Sequence, residues 1–412
     1  MVLLSTVSLT LNPMKQHYIF FIQEELPKPE AHLVQSTNAA NGAANLGYST
    51  ILVYPQTGLK SLNPINLIRP FQPRTTPTEL IQYYNLHNKL KVATLPMPWP
   101  IDHWQSKFTD SNTIASKYYL PFHILPTAKL VHSRNWNFVK AAIKLGIPAI
   151  YEHHHHEDKQ FEPEIVQSPL LQIAVTVADT IRETMILHGM PPEKVIKLHN
   201  GFNRLFMTRQ PEKAATWREK LLPHGRSYLV VYAGAIEKFK GIDVLIDVAS
   251  VMPDVQFTCA GGKPQAVEYY QQLVREKQVD NITFLGYVLH HELASLLQAA
   301  DVLAHPHCSG PAATFTSPLK LFDYLASGTP IVATEIPSLR EFQGTRAIAA
   351  WCEADHPGQF AACLRRVFAT HPRIPQGYAD SIEFVKQFSW ENRAAKILSY
   401  VDESLLPPKL WT

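Results

Sequence analysis

The chain offers few of the signals that place a protein at first sight. Of its 412 residues only four are cysteine (Cys259, Cys308, Cys352 and Cys363), and no two form a C-x-x-C pair. That argues against a disulfide-stapled framework and for a reduced, cytoplasmic compartment. No stretch approaches the ~18 consecutive apolar residues of a membrane span. The formal net charge is only +3 and no basic run is interleaved with aromatics, so no nucleic-acid partner is expected. There is no short-period repeat and no low-complexity tract apart from one run of histidines. The opening "MVLLSTVSLTLNP" lacks the positive start of a signal peptide. With a second methionine at Met14, residues 1–13 are expected to be a disordered leader or a misassigned start.

What is present is a globular composition, 46% hydrophobic and 18% charged. Single cores stop growing near ~250–300 residues, so two domains are expected. In the first half, "HYIFFIQE" (17–24), "STILVYP" (49–55), "KLVHSR" (129–134), "PAIYEHH" (148–154) and "LQIAVTVA" (171–178) read as strands. Helical patterns lie between them, at 31–47, 137–146 and 179–189. Residues 203–226 are polar and carry no strand, which suits a linker with a short helix. The same grammar then resumes with strands at 227–234, 255–262, 282–288, 301–306 and 330–334. Apolar strands without polar alternation, each followed by a helix, indicate parallel sheets covered on both faces. The fold class is therefore α/β, with two doubly wound domains. Ligands of such sheets bind at the carboxyl ends of the strands, here in the cleft between domains.

Two stretches carry candidate chemistry. In "ATFTSPLKLFDYLASGTPIVAT" (313–334), Ser317 is a good N-cap and Pro318 suits the first helical position. Lys320 then occupies the first turn, where a cation opposes the helix dipole. An anion seated on that helix end would explain it. An ordinary ion pair with Asp323, on the same face, is the alternative. In "YAGAIEKFKGIDVLIDVA" (232–249) a strand, a glycine turn and Lys240-Gly241 again deliver a lysine to a helix start. Two such lysines in one domain favour a diphosphate ligand.

These stretches, with "HNGFN" (199–203), "FLGYV" (284–288), "SPLKLFDYLASGTPIVATEIPSLREF" (317–342) and "FSWENRAAKIL" (388–398), resemble the GT-B-fold retaining glycosyltransferases of family 4. The resemblance runs from about Met14 to the carboxyl end. It implies two Rossmann-like domains facing each other across a cleft: 14–202 for the acceptor, 227–385 for a nucleotide-sugar donor, joined by 203–226. It also implies a last helix within 386–412 crossing back to the first domain. By the same resemblance, Lys240 is the diphosphate lysine, Lys320 assists it, and the amides around Thr316 and Ser317 bind phosphate. Asp323 falls at the second acid of an E-x7-E signature and is expected on the ribose, with Val288 near the base. On the acceptor side His32, Gln35, Asn38 and Arg134 are expected toward the cleft. Three positions depart from the pattern. Phe315 stands at the first acid, Ala235 at a common arginine for which Lys238 could compensate, and Asp323 is one methylene shorter than glutamate.

The histidine run lies in "YEHHHHED" (151–158). Neighbours on a strand point to opposite faces, so four in a row cannot reach one metal ion, and the spacing matches no zinc pattern. The resemblance instead places His154 at the family's reaction-centre histidine, with His153 or His155 taking that role if the register slips by one. The implied activity is metal-independent retaining transfer of a sugar to an acceptor hydroxyl, with no cofactor beyond the nucleotide sugar. Glycan, lipid and small-molecule acceptors all stay open, as does peripheral contact with a membrane. The rivals are a nucleotide-sugar epimerase of the same fold and a non-catalytic binding protein.

Overall fold

The computed structural model describes residues 16–57, 69–87, 89–97, 111–222, 225–315 and 319–410. The proposed leader, Met14, and the helix start at Thr316, Ser317 and Pro318 lie outside the described residues. Short apolar runs became strands wherever both faces could be covered. The first sheet holds β1 (His17–Phe21), β2 (Thr50–Thr57), β3 (Arg74–Thr75), β4 (Lys91–Met97), β5 (Ala128–Ser133), β6 (Ala149–Glu152), β7 (Leu171–Thr176) and β8 (Val195–Lys197). Their order is β3-β4-β2-β1-β5-β6-β7-β8, parallel except for β3. The second sheet holds β9 (Tyr228–Ala233), β10 (Val255–Ala260), β11 (Ile282–Gly286), β12 (Val302–His305), β13 (Ile331–Glu335) and β14 (Ala350–Glu353). Its order is β11-β10-β9-β12-β13-β14, parallel throughout.

In each sheet the strand order reverses once, between β1 and β5 and between β9 and β12. The loops leaving those strands are where an open α/β sheet binds ligands. Each sheet is buried on both faces: Ile19 and Ile51 join one core cluster, while Tyr18, Phe20 and Leu52 join another. Likewise Leu229 and Leu303 pack on one side of the second sheet, Val230 and Val302 on the other.

The helix Trp390–Leu398 returns to the first domain and lies on the helix Ala31–Asn45. The small-residue run "NAANGAAN" permits this approach: a Cβ at Gly42 would stand 2.6 Å from the Trp390 carbonyl oxygen. Trp390, Ile397 and Leu398 are buried there, each contributing roughly 1.5–3 kcal/mol by transfer from water. Beyond it, Tyr48 bridges Lys409 and Leu410 N–H donates to the Gly47 carbonyl at 2.8 Å.

Several boundaries differ from the sequence expectation. The strand expected over 148–154 ends at Glu152, so the four histidines occupy the following loop and strand alternation does not govern them. The returning helix, expected within 386–412, spans only Trp390–Leu398. The strand β4 was not foreseen because Pro96 sits inside it, at the pairing with Gln56 on β2. The helical turn over Ala115–Ile124 is widened to a π-helix, with Pro121 inside it.

Candidate functional site

On the second domain the site is built where β9 and β12 part. After Ala233 the chain turns at Gly234 (φ 148°), whose N–H donates to the Ala260 carbonyl at 2.9 Å. A short 3-10 turn, Lys238–Lys240, leads to Gly241 at φ 81°, and the helix Ile242–Ser250 follows. Only glycine fits there, since an added Cβ would stand 1.7 Å from the Pro306 carbonyl oxygen. The loop after β12 is tied to this turn by Cys308 N–H donating to the Phe239 carbonyl at 3.0 Å.

Lys320 projects from the first turn of the helix Leu319–Ser327 toward this turn. Its ammonium lies 3.8 Å from the centre of the Tyr232 ring. A Cβ at Gly234 would stand 3.6 Å from it. Among the described residues no hydrogen-bond partner reaches this buried Nζ, and it makes no ion pair with Asp323. Burial, then the nearby Lys240, hold the Lys320 ammonium well below the usual lysine range. Burial also brings Lys240 down to about 8, against the opposing pull of Glu237. Two lysines thus share a partly buried place where, among the described residues, neither forms an ion pair and Glu237 offsets only part of the depression of Lys240, an arrangement that an arriving anion relieves.

The other expected donor residues are spread out. Lys238 is exposed in the same turn. Val288 is partly buried against the second-domain core, next to Tyr287, whose ring stacks on Tyr83 of the first domain at 5.4 Å. Asp323 is pushed up to about 8 by burial and accepts from the Asn203 backbone N–H, so its carboxyl is committed to the interdomain linker. Thr316 and Ser317 lie outside the described residues.

On the first domain one carboxylate organises the site. Glu152, at the end of β6, is 2% exposed. Its Oε1 accepts from Gln35 Nε2 at 2.7 Å, His154 Nε2 at 2.8 Å and Arg393 Nη2 at 2.6 Å. Its Oε2 accepts from His132 Nε2 at 2.9 Å. Burial alone would raise this carboxyl, but Arg393, His132 and His154 overcome it and hold it well below the carboxylate range. Arg393 also donates through Nε to the His199 carbonyl at 2.9 Å.

Because Glu152 can only accept, His154 carries its proton on Nε2. Its Nδ1 then accepts from Arg134 Nη1 at 3.1 Å. Burial, with Arg134 beside it, brings His154 down to about 3, so the ring is neutral and both nitrogens are engaged within the protein. Arg134 also donates to Gln35 Oε1 at 3.3 Å and lines a pocket with Ser36, Ser133 and Glu152.

The remaining histidines diverge. His153 Nδ1 pairs with the Tyr151 hydroxyl at 2.9 Å, while His155 and His156 are exposed and meet the Phe315 ring of the second domain at 6.2 and 5.2 Å. Among the described residues no three His, Cys, Asp or Glu side chains gather as metal ligands. His32 is half-buried and bonded to Glu24 at 2.6 Å. Asn38 does not face open space: it is buried and donates back to the Val34 carbonyl at 2.9 Å.

Sequence reasoning missed Glu152 as the hub and Arg393 as its partner. A signal existed for the second: Arg393 shares the apolar stripe of Trp390, Ala394 and Ile397, where an arginine needs a buried partner. The domains are joined around this site by Thr180 Oγ1 donating to the Thr314 carbonyl at 2.9 Å. Glu341 completes the link, facing Lys197 at 2.9 Å and His199 at 3.0 Å.

Comparison with known proteins bears on the fold. A family model described as "Glycosyl transferases group 1" matches residues 227–370. The D-inositol 3-phosphate glycosyltransferase of Mycolicibacterium vanbaalenii is 26% identical over 242 residues, covering 55% of this chain and 52% of its own length. Its counterpart in Mycobacterium tuberculosis is 25% identical over 235 residues, covering 55% and 48%. The chain spans about half the length of the curated relatives it matches. Anabaena HepE, solved with UDP-glucose, superposes with a TM-score of 0.65 at 14% identity, covering 94% of this chain and 100% of that one. Sucrose-phosphate synthase from Thermosynechococcus elongatus gives 0.63 at 16%, covering 93% and 98%. The chain has the GT-B fold, and its residues 227–370 are similar to the glycosyl transferases group 1 family.

Proposed function

We propose that this chain is a retaining glycosyltransferase of family 4, moving a sugar from a nucleoside diphosphate sugar to an acceptor hydroxyl. The observation that carries the reading is the pair Lys240 and Lys320, two depressed ammonium groups beside the Gly234 turn, with Glu237 offsetting only part of the depression of Lys240. As the bond from the anomeric carbon to the diphosphate breaks, negative charge grows on the departing oxygen. Lysines already in place stabilise that charge without reorganising. The acceptor hydroxyl attacks the same face of the sugar and its proton passes to the leaving phosphate. His154, Arg134 and Glu152 act on the acceptor side as one unit, with His154 fixing the direction of the Arg134 guanidinium. Charge neutralisation by lysine leaves no role for a divalent ion, so transfer should persist in EDTA.

The donor is read as a nucleotide sugar, with UDP-glucose the first to try because HepE was solved with it. Inositol phosphate is the first acceptor to try, from the names of the curated relatives. A lipid acceptor, with peripheral membrane contact, belongs to the same proposal; no described helix is long and apolar enough to cross a membrane.

The test is a thermal-shift screen of UDP-, GDP- and ADP-sugars on the wild-type chain and on Lys240→Met. A ligand at 100 times its Kd adds about 2.7 kcal/mol, a shift of several degrees that Lys240→Met should abolish. Failure of every nucleotide sugar to stabilise the wild-type chain refutes the reading.

A further inference from the structure

The strand β12 and its exit place two histidines directly behind the lysine pair. Leu303 packs with Leu321 and Phe322 of the helix that carries Lys320, while Val302 and Ala304 pack on the opposite face of the sheet. Strand alternation therefore turns His305 toward the Lys320 side, and His307 lies in the loop two residues beyond the strand's end. Both are 0% exposed, with their rings near parallel at 6.2 Å. The Phe239 ring, over which the Lys240 ammonium sits at 4.6 Å, stands 5.5 Å from the His307 ring.

Among the described residues, His305 Nδ1, His305 Nε2, His307 Nε2 and Lys320 Nζ are buried without a hydrogen-bond partner. A buried polar atom left unpaired costs about 1–3 kcal/mol, and native proteins rarely gather several in one place. Here they gather around the two lysines, in a turn where Ala235 supplies no cation.

The tautomer of His307 follows from its one bond. Nδ1 lies 2.8 Å from the Cys308 carbonyl, which can only accept, so Nδ1 carries the hydrogen and Nε2 is a bare lone pair. A neutral nitrogen of this kind cannot donate to an anion until it is protonated. We propose that His307 belongs to the diphosphate site: as the anion seats on Lys240 and Lys320, His307 Nε2 takes up a proton released by the buffer acid, and the resulting imidazolium keeps that proton while donating a hydrogen bond to a phosphate oxygen. Donor binding is thereby coupled to proton uptake. This deepens the transferase reading and rests on it for the identity of the anion.

The field around His307 supports the coupling. Burial comes first in holding it down at about 4; Lys240 and Lys320 add to this, and the Cys308 carbonyl and Asp355 oppose it. His305, the remaining titratable neighbour, is itself held well below the histidine range by burial, Lys320, His307 and Lys240. An arriving diphosphate reverses the sign of the lysine field. The same burial that kept His307 neutral then strengthens its bond to the anion.

The experiment is titration calorimetry on the full chain, with inorganic pyrophosphate and with UDP, in two buffers of different ionisation enthalpy at pH 6.5. The variants are His307→Asn, which keeps a donor for the Cys308 carbonyl, His307→Gln, which keeps a donor near the Nε2 position, and Lys320→Met, which reports the lysine's own share. Wild type should take up more protons than His307→Asn by up to about one, and bind about tenfold more tightly. His307→Gln should recover affinity without the proton. Equal uptake in wild type and His307→Asn overturns the proposal, as does failure of the wild-type chain to bind pyrophosphate. UDP binding without His307-dependent uptake would sink this inference and leave the transferase reading standing. Pyrophosphate binding with such uptake, but no UDP binding, would do the reverse.

Discussion

Replacing Arg393 by methionine should remove the counter-ion of a buried carboxylate while keeping most of the packing volume. Arg393 Nη2 stands 2.6 Å from Glu152 Oε1, and both side chains are 3% exposed. Breaking a buried pair from one side costs about 3–5 kcal/mol, because the other charge is left behind. Gln35, His132 and His154 still bond the carboxylate in the variant, so the lower end, about 3 kcal/mol, applies. The lost bond from Nε to the His199 carbonyl adds about 1 kcal/mol. The total of about 4 kcal/mol is a large part of the ~5–15 kcal/mol by which domains are stable. Urea unfolding at pH 7 measures it. The sign of the pH dependence is a second check. In wild type the Glu152 carboxyl is held well below 4.5, so its stabilisation is present above that value and fades as pH falls below it. Without Arg393, burial raises the carboxyl, so the variant gains relative stability as pH falls and the gap narrows. Glu152→Gln combined with Arg393→Met should cost clearly less than the sum of the single changes. A loss below about 1 kcal/mol for Arg393→Met, or strict additivity, would show that the hub does not hold the returning helix.

Two further outcomes follow from single positions. Gly241→Ala should cost several kcal/mol and abolish pyrophosphate binding, since its Cβ would stand 1.7 Å from the Pro306 carbonyl oxygen at φ 81°; Gly344→Ala, at φ 84° with nothing within 4 Å, should cost only ~1–2 kcal/mol, and equal costs at the two sites would contradict the packing argument. The chain should also be acid-sensitive, because His154 and His307 are held at about 3 and about 4, below the 6.5 of the unfolded chain. Folding stability is then intact above pH 6.5 and lost as pH falls, by about 2 kcal/mol per ring at pH 5. Melting temperatures from pH 7.5 to 5 would show it, and an unchanged slope in His154→Gln would count against the assignment of that ring.

The sequence by itself determined what depends on neighbours along the chain. Apolar runs of five or six residues, glycines at the turns and helical spacing between them sufficed for two parallel α/β layers. The lysines could be singled out for the same reason, since Lys240 before Gly241 and Lys320 in a helix's first turn are local anomalies. What the sequence could not reveal is where side chains from distant segments meet. Glu152 and Arg393 are 241 residues apart, and nothing local in "YEHH" says that the glutamate, and not a histidine, is the centre. The histidine run diverged because β6 stopped at Glu152, which replaced strand alternation with the separate pulls of Tyr151, Glu152 and Phe315. His305 and His307 looked like strand-end residues of no special character. Only the packing of β12 beneath the Lys320 helix left both ring nitrogens of His305 and the Nε2 of His307 buried, without a partner among the described residues, and next to the two lysines. Local periodicity sets the layers, because backbone hydrogen bonding and burial act over a few residues. The charge balance of the site is decided by tertiary structure, because it depends on which groups lose water together.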